Sequence, residues 1–282
     1  MSSIAHDRTA AIHPGRRTEP IGSERGKKVE VRARVAFLAV WILLTAVPGF
    51  PQESAALIAA GDALYEQRAD PDRARQAAVK YGEAARLDPA SYEARWKSAK
   101  TLFYIGRISG DDRGKKRLFL EAIGHAKEAV RLNPGAAEGH FWLGANYAEY
   151  GQAKGVLKSL SLRDDIEREM NAVLRIDARF GCGAAYITLG RIYFKVPAFF
   201  GGSLKRSRHY LEMARDICPR ETTTLLYLAE TYWEMKERQL AIETLERLLS
   251  LEPYAAILAE ADKDRTEARR LLDKYRGKGE RP

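Results

Sequence analysis

The sequence predicts an all-α chain, a right-handed solenoid of about five helix pairs closed by a C-terminal capping helix. Three observations predict it. Proline, or a residue in its place, closes successive amphipathic stretches at Leu87-Asp88-Pro89, Leu132-Asn133-Pro134, Ile176-Asp177-Ala178, Ile217-Cys218-Pro219 and Leu251-Glu252-Pro253. Proline cannot continue a helix, so each mark ends one helix and prepares the next. Between marks the apolar residues keep a helical period, and each interval repeats one order of residue sizes.

The last interval shows that order most clearly. Leu228, Ala229 and Tyr232 share one face of a first helix, and Ala241, Leu245 and Leu248 share one face of a second. Pro253 then follows Pro219 by 34 residues. Upstream, Tyr186, Leu189, Gly190 and Tyr193 precede Leu211, Ala214 and Pro219. Leu143, Gly144 and Tyr147 precede Ile166, Met170 and Val173, with Ala178 in the proline position. Trp96, Ala99 and Phe103 precede Ala122, Ala129 and Pro134. Leu57, Ala60, Gly61 and Leu64 precede Ala77, Tyr81, Ala84 and Pro89. This pattern resembles the tetratricopeptide repeat, which implies antiparallel pairs of helices, A and B. A small residue where A crosses B lets the two axes approach, with larger side chains filling the grooves beside it.

Spacing sets the boundaries. Tyr232 to Ala241 is nine residues, whereas Leu64 to Ala77, Phe103 to Ala122, Tyr147 to Ile166 and Tyr193 to Ser207 are 13, 19, 19 and 14. The first four repeats are therefore expected to carry insertions at the A–B turn, projecting from one edge, with residues 151–162 adding a helical turn or two. The repeat domain spans 53–258. Leu258, Ala261, Ala268, Leu271, Leu272 and Tyr275 keep a helical period with a charged opposite face, so 259–276 reads as the capping helix. Residues 277–282 read as a frayed tail.

The amino-terminal segment differs in composition. Residues 1–34 hold eight Lys/Arg against Asp7, Glu19, Glu24 and Glu30 and show no hydrophobic period, which reads as a disordered basic extension. A translation start near Val29 or Val31 is the alternative reading of that stretch. Arg32 and Arg34 precede an uncharged apolar run from Val35 to Val47, which is 13 residues long. That is short for a bilayer span and fits a signal-peptide core over 35–50. An uncleaved segment acting as a short anchor and a buried core helix are the alternatives. Export to the periplasm is expected on the first, attachment to the inner membrane on the second. No cysteine precedes Cys182, which excludes lipid attachment at a cysteine after the apolar run.

Composition narrows the function. The chain has 282 residues, 45% of them hydrophobic, and a net charge of +9. It can bury a sizeable core, and only +5 is spread beyond residue 49, too thin a surplus for a nucleic-acid binder. Two cysteines exclude a disulfide-dense scaffold or a Cys-rich zinc module. None of His6, His13, His125, His140 and His209 has metal-ligand spacing to a second with a third ligand nearby, and no serine sits in a nucleophile elbow. The expected protein is not an enzyme and carries no cofactor. His140 begins a helix A and is a groove candidate, or a helix-start histidine.

Aromatic residues crowd the A helices. Neighbours on a helix point about 100° apart, so one member of each of the pairs Phe141-Trp142 and Tyr232-Trp233 is expected to face the groove or an adjoining repeat. The candidate ligand- or partner-binding residues are Trp96, Tyr104, Phe141, Trp142, Phe194, Phe199, Phe200 and Trp233. Phe199-Phe200-Gly201-Gly202 joins the helices of repeat four, with Ser203 placed to cap the second. Cys182 begins helix A of that repeat and Cys218 ends helix B, at the same end of the hairpin, so a disulfide and two buried thiols are both open.

Leu189-Gly190-Arg191-Ile192-Tyr193, then Pro197, Phe200-Gly201-Gly202 and a new amphipathic helix, behind a signal segment, resemble the T-component proteins of TRAP transporters. The likeness covers roughly 55–255 and is most specific over 186–214. It implies a periplasmic partner of an extracytoplasmic solute-binding protein, a homo-oligomer, and a groove for a hydrophobic small ligand. The family's members are typically lipoproteins, and this chain departs from them there. The expected function is thus an exported, non-enzymatic binding protein of a solute-uptake system. The alternative is a general envelope scaffold that holds an extended peptide.

Overall fold

The computed structural model describes residues 50–252 and 258–279. The basic extension 1–34, most of the apolar run 35–50 and the tail beyond 279 lie outside them. Five antiparallel helix pairs follow one another. They are α1 (Phe50–Glu66) with α2 (Pro71–Leu87), α3 (Tyr92–Ile108) with α4 (Asp112–Leu132), α5 (Ala137–Lys154) with α6 (Val156–Ile176), α7 (Phe180–Lys195) with α8 (Leu204–Ile217), and α9 (Thr222–Glu234) with α10 (Arg238–Ser250). A single-turn 3₁₀ helix, Ala198–Phe200, lies between α7 and α8, and α11 (Leu258–Gly279) closes the array. No strand occurs among the described residues. None of the described helices is long and apolar enough to cross a membrane.

Local sequence explains the starts and stops. Asp70, Ser91, Asp111, Ser203 and Glu221 each accept a hydrogen bond from a backbone N–H in the first turn of the helix that follows. Pro71 occupies the first position of α2, where its missing N–H costs nothing.

The size order read from the sequence is the order of burial. Leu228, Ala229, Tyr232, Ala241, Leu245 and Leu248 are all buried, as are Leu189, Tyr193, Leu211 and Ala214 one repeat earlier. The crossings show why small residues recur. A Cβ added at Gly61 would lie 2.6 Å from the Tyr81 ring, and one at Gly190 would lie 2.6 Å from Leu211 Cγ. At Gly144 it would collide with the Met170 methyl group. Each glycine accepts a large side chain of the facing B helix into the space its own side chain would fill.

Three expectations need correction or sharpening. The insertions of the first three repeats do not lie in the A–B turns, and the helical turns expected over 151–162 are found in all three. The A–B turns there are only residues 67–70, 109–111 and 155. The extra residues continue the helices, so α3 to α6 run 17, 21, 18 and 21 residues against 13 each for α9 and α10. Adding turns to both members of a hairpin keeps their hydrogen bonds intact, which a long loop would not. Only the fourth insertion, 196–203, leaves the helix. In repeat two, Trp96 and Phe103 are only partly buried, and the crossing glycine is Gly106, whose added Cβ would lie 2.5 Å from the Phe119 ring. The lengthened hairpin moves its closest approach two turns beyond Ala99. The capping helix also continues through Gly279, into the stretch expected to fray.

A disulfide joins Cys182 to Cys218, with Cα atoms 5.3 Å apart. Gly181, Cys182 and Gly183 all have left-handed backbone, at φ 53°, 59° and 76°, so the regular part of α7 starts after them. Cys182 adopts this geometry against the ordinary preference of an L-residue.

Packing at the crossings makes a graded prediction. Gly190→Ala drives a Cβ against the branch point of Leu211 and should cost about 1–3 kcal/mol. Gly144→Ala meets the end of the flexible Met170 side chain and, at 3.3 Å, the Glu169 Cβ. The methionine can shift and the better helix propensity of alanine offsets part of the contact, so it should cost less than Gly190→Ala, about 1 kcal/mol. Urea unfolding of the two variants checks the order.

Candidate functional site

The A helices line the inner face of the array. Residues spaced four and three apart on α3, Lys100, Tyr104 and Arg107, form a stripe beside the core stripe, and Thr223, Tyr227 and Glu230 do the same on α9. A cavity of about 170 Å³ is lined by Tyr65 of α1, Phe103, Tyr104, Arg107 and Ile108 of α3, Trp142 of α5, Thr223 and Tyr227 of α9, and Lys263 and Asp264 of α11. Five elements distant in sequence thus meet at one place. Asp264 accepts hydrogen bonds from the Thr222 and Thr223 hydroxyls, both at 2.7 Å, which seats the capping helix on the end of the groove.

The walls are aromatic and the charges on them are mainly basic. Tyr65 and Tyr104 meet edge to face with centroids 6.2 Å apart. The Arg68 guanidinium lies 5.0 Å from the Tyr65 ring centre and the Lys100 ammonium 4.4 Å from it. Neither cation is in an ion pair with a described residue. Burial, with repulsion from Arg68 and Lys97, holds Lys100 below the usual lysine range. Further along, Arg191 sits 4.0 Å over the Tyr227 ring and pairs with Glu230 at 2.6 Å. Arg107 approaches Glu149 at 3.5 Å, and burial raises that carboxyl.

The sequence candidates fall in different places. Tyr104 and Trp142 line the cavity. Trp96 is half-buried beside it, with Lys100 5.9 Å from its ring centre. Phe141 does not line the cavity; its ring meets Phe180 of the next repeat, 5.4 Å between centroids, and Trp142 at 4.9 Å. Phe194 is half-buried under Arg191 and Lys195. Trp233 is not a groove residue: it is buried between Tyr275 of α11, stacked at 3.6 Å, and Arg238 at 3.7 Å. Phe199 and Phe200 stand on the A–B edge and do not line the cavity. His140 is engaged internally, with Nδ1 2.7 Å from Glu169 and Nε2 3.0 Å from the Pro134 carbonyl. Sequence reasoning missed Tyr65, Arg107, Tyr227, Lys263 and Asp264. The period-four stripe beside the core stripe was the signal for Arg107 and Tyr227; no local signal places α11 at the groove.

A second cleft, about 310 Å³, opens between α2 and α4 on the B-helix side, over Ser98 and Leu102, with Ala78, Val79, Gly82, Glu121 and His125 as walls. Ser98 Oγ and His125 Nδ1 are buried there without a hydrogen-bond partner among the described residues.

The fold and the groove define a tetratricopeptide-type helical-repeat protein. Within that class, the chain belongs to the RMD1-3 family, described as regulator of microtubule dynamics protein 1-3, whose model matches residues 57–197. Among solved structures it is similar to TTC0263, a thermophilic tetratricopeptide-repeat protein of Thermus thermophilus. The TM-score is 0.56 at 18% identity, covering 76% of this chain and 98% of that one. It is also similar to PilF of Pseudomonas aeruginosa, with a TM-score of 0.52 at 16% identity over 80% of this chain and 90% of that one. No curated protein sequence matches the chain. These matches carry the repeat fold and the family; they do not include the T-component likeness read from residues 186–214.

The second cleft has a pH consequence. Burial, with Arg95 adding repulsion, lowers His125 from 6.5 to about 4. Between those values the unfolded chain binds a proton that the folded chain refuses, so His125 makes stability fall as pH falls through that window. The drop in unfolding free energy from pH 7 to pH 4 should be smaller by roughly 2–3 kcal/mol in His125→Gln than in the parent, by urea titration at each pH.

Proposed function

We propose that this chain is a non-enzymatic interaction scaffold whose concave groove binds an extended acidic segment of a protein partner, with one aromatic or aliphatic side chain anchored in the central cavity. The observation that carries this reading is the pair Arg68 and Lys100, both lying over Tyr65 and neither within ion-pair distance of a described carboxylate, Asp62 acting on Lys100 only from further away. A bound carboxylate supplies the close counter-charge that Asp62 does not give Lys100 and is held by charge-assisted hydrogen bonds. The cavity, about 170 Å³, lies below the range of small-molecule pockets and suits a single side chain. A preformed array spends little ordering entropy on such a segment. The family's description, a regulator of microtubule dynamics, also favours a protein as the partner.

Fluorescence anisotropy with labelled extended peptides, acidic or neutral and each carrying one phenylalanine, tests the reading. Acidic peptides should bind more tightly, and the preference should fade with salt. Lys100→Glu and Arg107→Glu should each weaken acidic-peptide binding by about tenfold or more while leaving helix content unchanged. Equal binding of acidic and neutral peptides overturns it.

We further propose that the chain is exported, as a periplasmic protein or one held at the inner membrane by an uncleaved apolar segment. The apolar run Val35–Val47 supports this, as does the Cys182–Cys218 disulfide, which needs an oxidising compartment. The narrower version, a partner of a TRAP-type solute-binding protein carrying a hydrophobic ligand, rests on the likeness over 186–214. Protein recovered from cells with its thiols blocked should gain about 2 Da on reduction as two sulfurs take up hydrogen. It should also lose about 3–4 kcal/mol of stability. A pair already reduced in the recovered protein removes the support for export.

A further inference from the structure

We propose that the edge of the array formed by the α5–α6 turn and the α7–α8 loop docks on the surface of an anionic lipid bilayer. This is independent of the concave groove. Leu157 is 84% exposed, Phe199 81%, Val156 69% and Phe200 46%, so four large apolar side chains of two consecutive repeats face solvent at one edge. The α7–α8 loop is tied to α6, since Arg163, about two turns into that helix, donates a hydrogen bond to the Phe200 carbonyl at 2.6 Å.

The loop that presents the phenylalanines is held by several backbone hydrogen bonds. The Phe200 and Gly202 amides both donate to the Pro197 carbonyl, at 2.9 and 3.1 Å, and the Ser203 amide donates to the Tyr193 carbonyl at 2.9 Å. Gly202 has no room for a Cβ against the Val196 carbonyl, and Gly201 is left-handed at φ 90°. A loop this closely specified holds two aromatic rings outside any core, with centroids 4.1 Å apart.

Charge selects the occupant. Residues 150–163 and 195–211 together hold seven Lys/Arg and no Asp/Glu, in a chain with 38 acidic residues. Arg163 pairs with Glu167, and Arg208 with Glu212 and Glu237. Lys154, Lys158, Lys205 and Arg206 are exposed and make no ion pair with a described residue. One exposed acid, Asp164, lies beside Arg163 at 3.5 Å and offsets that arginine, not the four exposed cations. Apolar tips ringed by unpaired cations match a bilayer, whose acyl boundary takes the tips and whose anionic headgroups meet the cations.

The test uses the full chain with Phe199→Cys carrying a nitrobenzoxadiazole label, the two native cysteines being paired, and a second label at Leu157→Cys. Vesicles of phosphatidylcholine alone or mixed with phosphatidylglycerol are added. Emission from both labels should rise and shift to the blue on the anionic vesicles only. Lys154→Glu with Lys158→Glu should lower the apparent affinity by about tenfold. Because the labels report the edge itself, binding through the apolar run 35–47 cannot imitate the result. Vesicle binding with unchanged emission overturns the proposal, as does an equal response to neutral vesicles. A blue shift that instead follows protein concentration without vesicles also overturns it and assigns the edge to a protein contact.

Discussion

Everything in this array depends on how closely an A helix can cross its B helix. Gly61, Gly106, Gly144 and Gly190 each leave a gap that Tyr81, Phe119, Met170 or Leu211 fills. The close approach buries the large residue almost completely, and in the last repeat Ala229 keeps the same role beside Leu245 and Leu248. Because the gap and its filler lie on different helices, neither can change alone without leaving a cavity or a clash. The hairpin is thus set by a pair of sizes. The pair recurs in every repeat, although its position along the hairpin shifts where the helices are longer.

A polar contact accompanies the apolar one. Tyr81 donates to Asp62 at 2.7 Å, Tyr193 to Glu167 at 2.8 Å and Tyr232 to Glu212 at 2.9 Å. Burial and the neighbouring carboxylate hold each of these phenols protonated, Tyr232 being pushed up to about 12, so each stays a donor. The ring serves the core while its hydroxyl reaches the hairpin surface, which is how a tyrosine is buried without stranding a donor. Tyr92 extends the device between repeats, donating to Glu138 at 3.1 Å and accepting from the Gly139 amide at 3.1 Å.

Once the core stripes are committed to the crossings, the next stripe on each A helix has only the groove to face. Tyr104 and Tyr227 arrive there by that geometry, and the cations beside them lie over the rings because aromatic faces attract positive charge. The outer edge follows a different logic. Where the first three insertions lengthened helices, the fourth made a loop, and that loop carries its phenylalanines away from the core.

Much of this was legible in the residues. Proline punctuation and the order of sizes determine the helix pairs, because a helix stop and a 3.6-residue period are local properties. Tyr104 and Trp142 are among the aromatic groove candidates, although helix-face arithmetic could not choose between Trp142 and its neighbour Phe141. Trp233 could not be excluded that way: its neighbour Tyr275 lies beyond the last repeat, and no local pattern says which face of a capping helix will meet it. Only in the third insertion do residues 151–162 suggest added helical turns; for the others, spacing counts residues and is silent on their conformation. The closing of the groove by Asp264 on Thr222 and Thr223, and the meeting of α1, α3, α5, α9 and α11 around one cavity, were decided by tertiary structure. They depend on how far each hairpin turns from the last, a quantity summed over all the crossings and written in no single repeat.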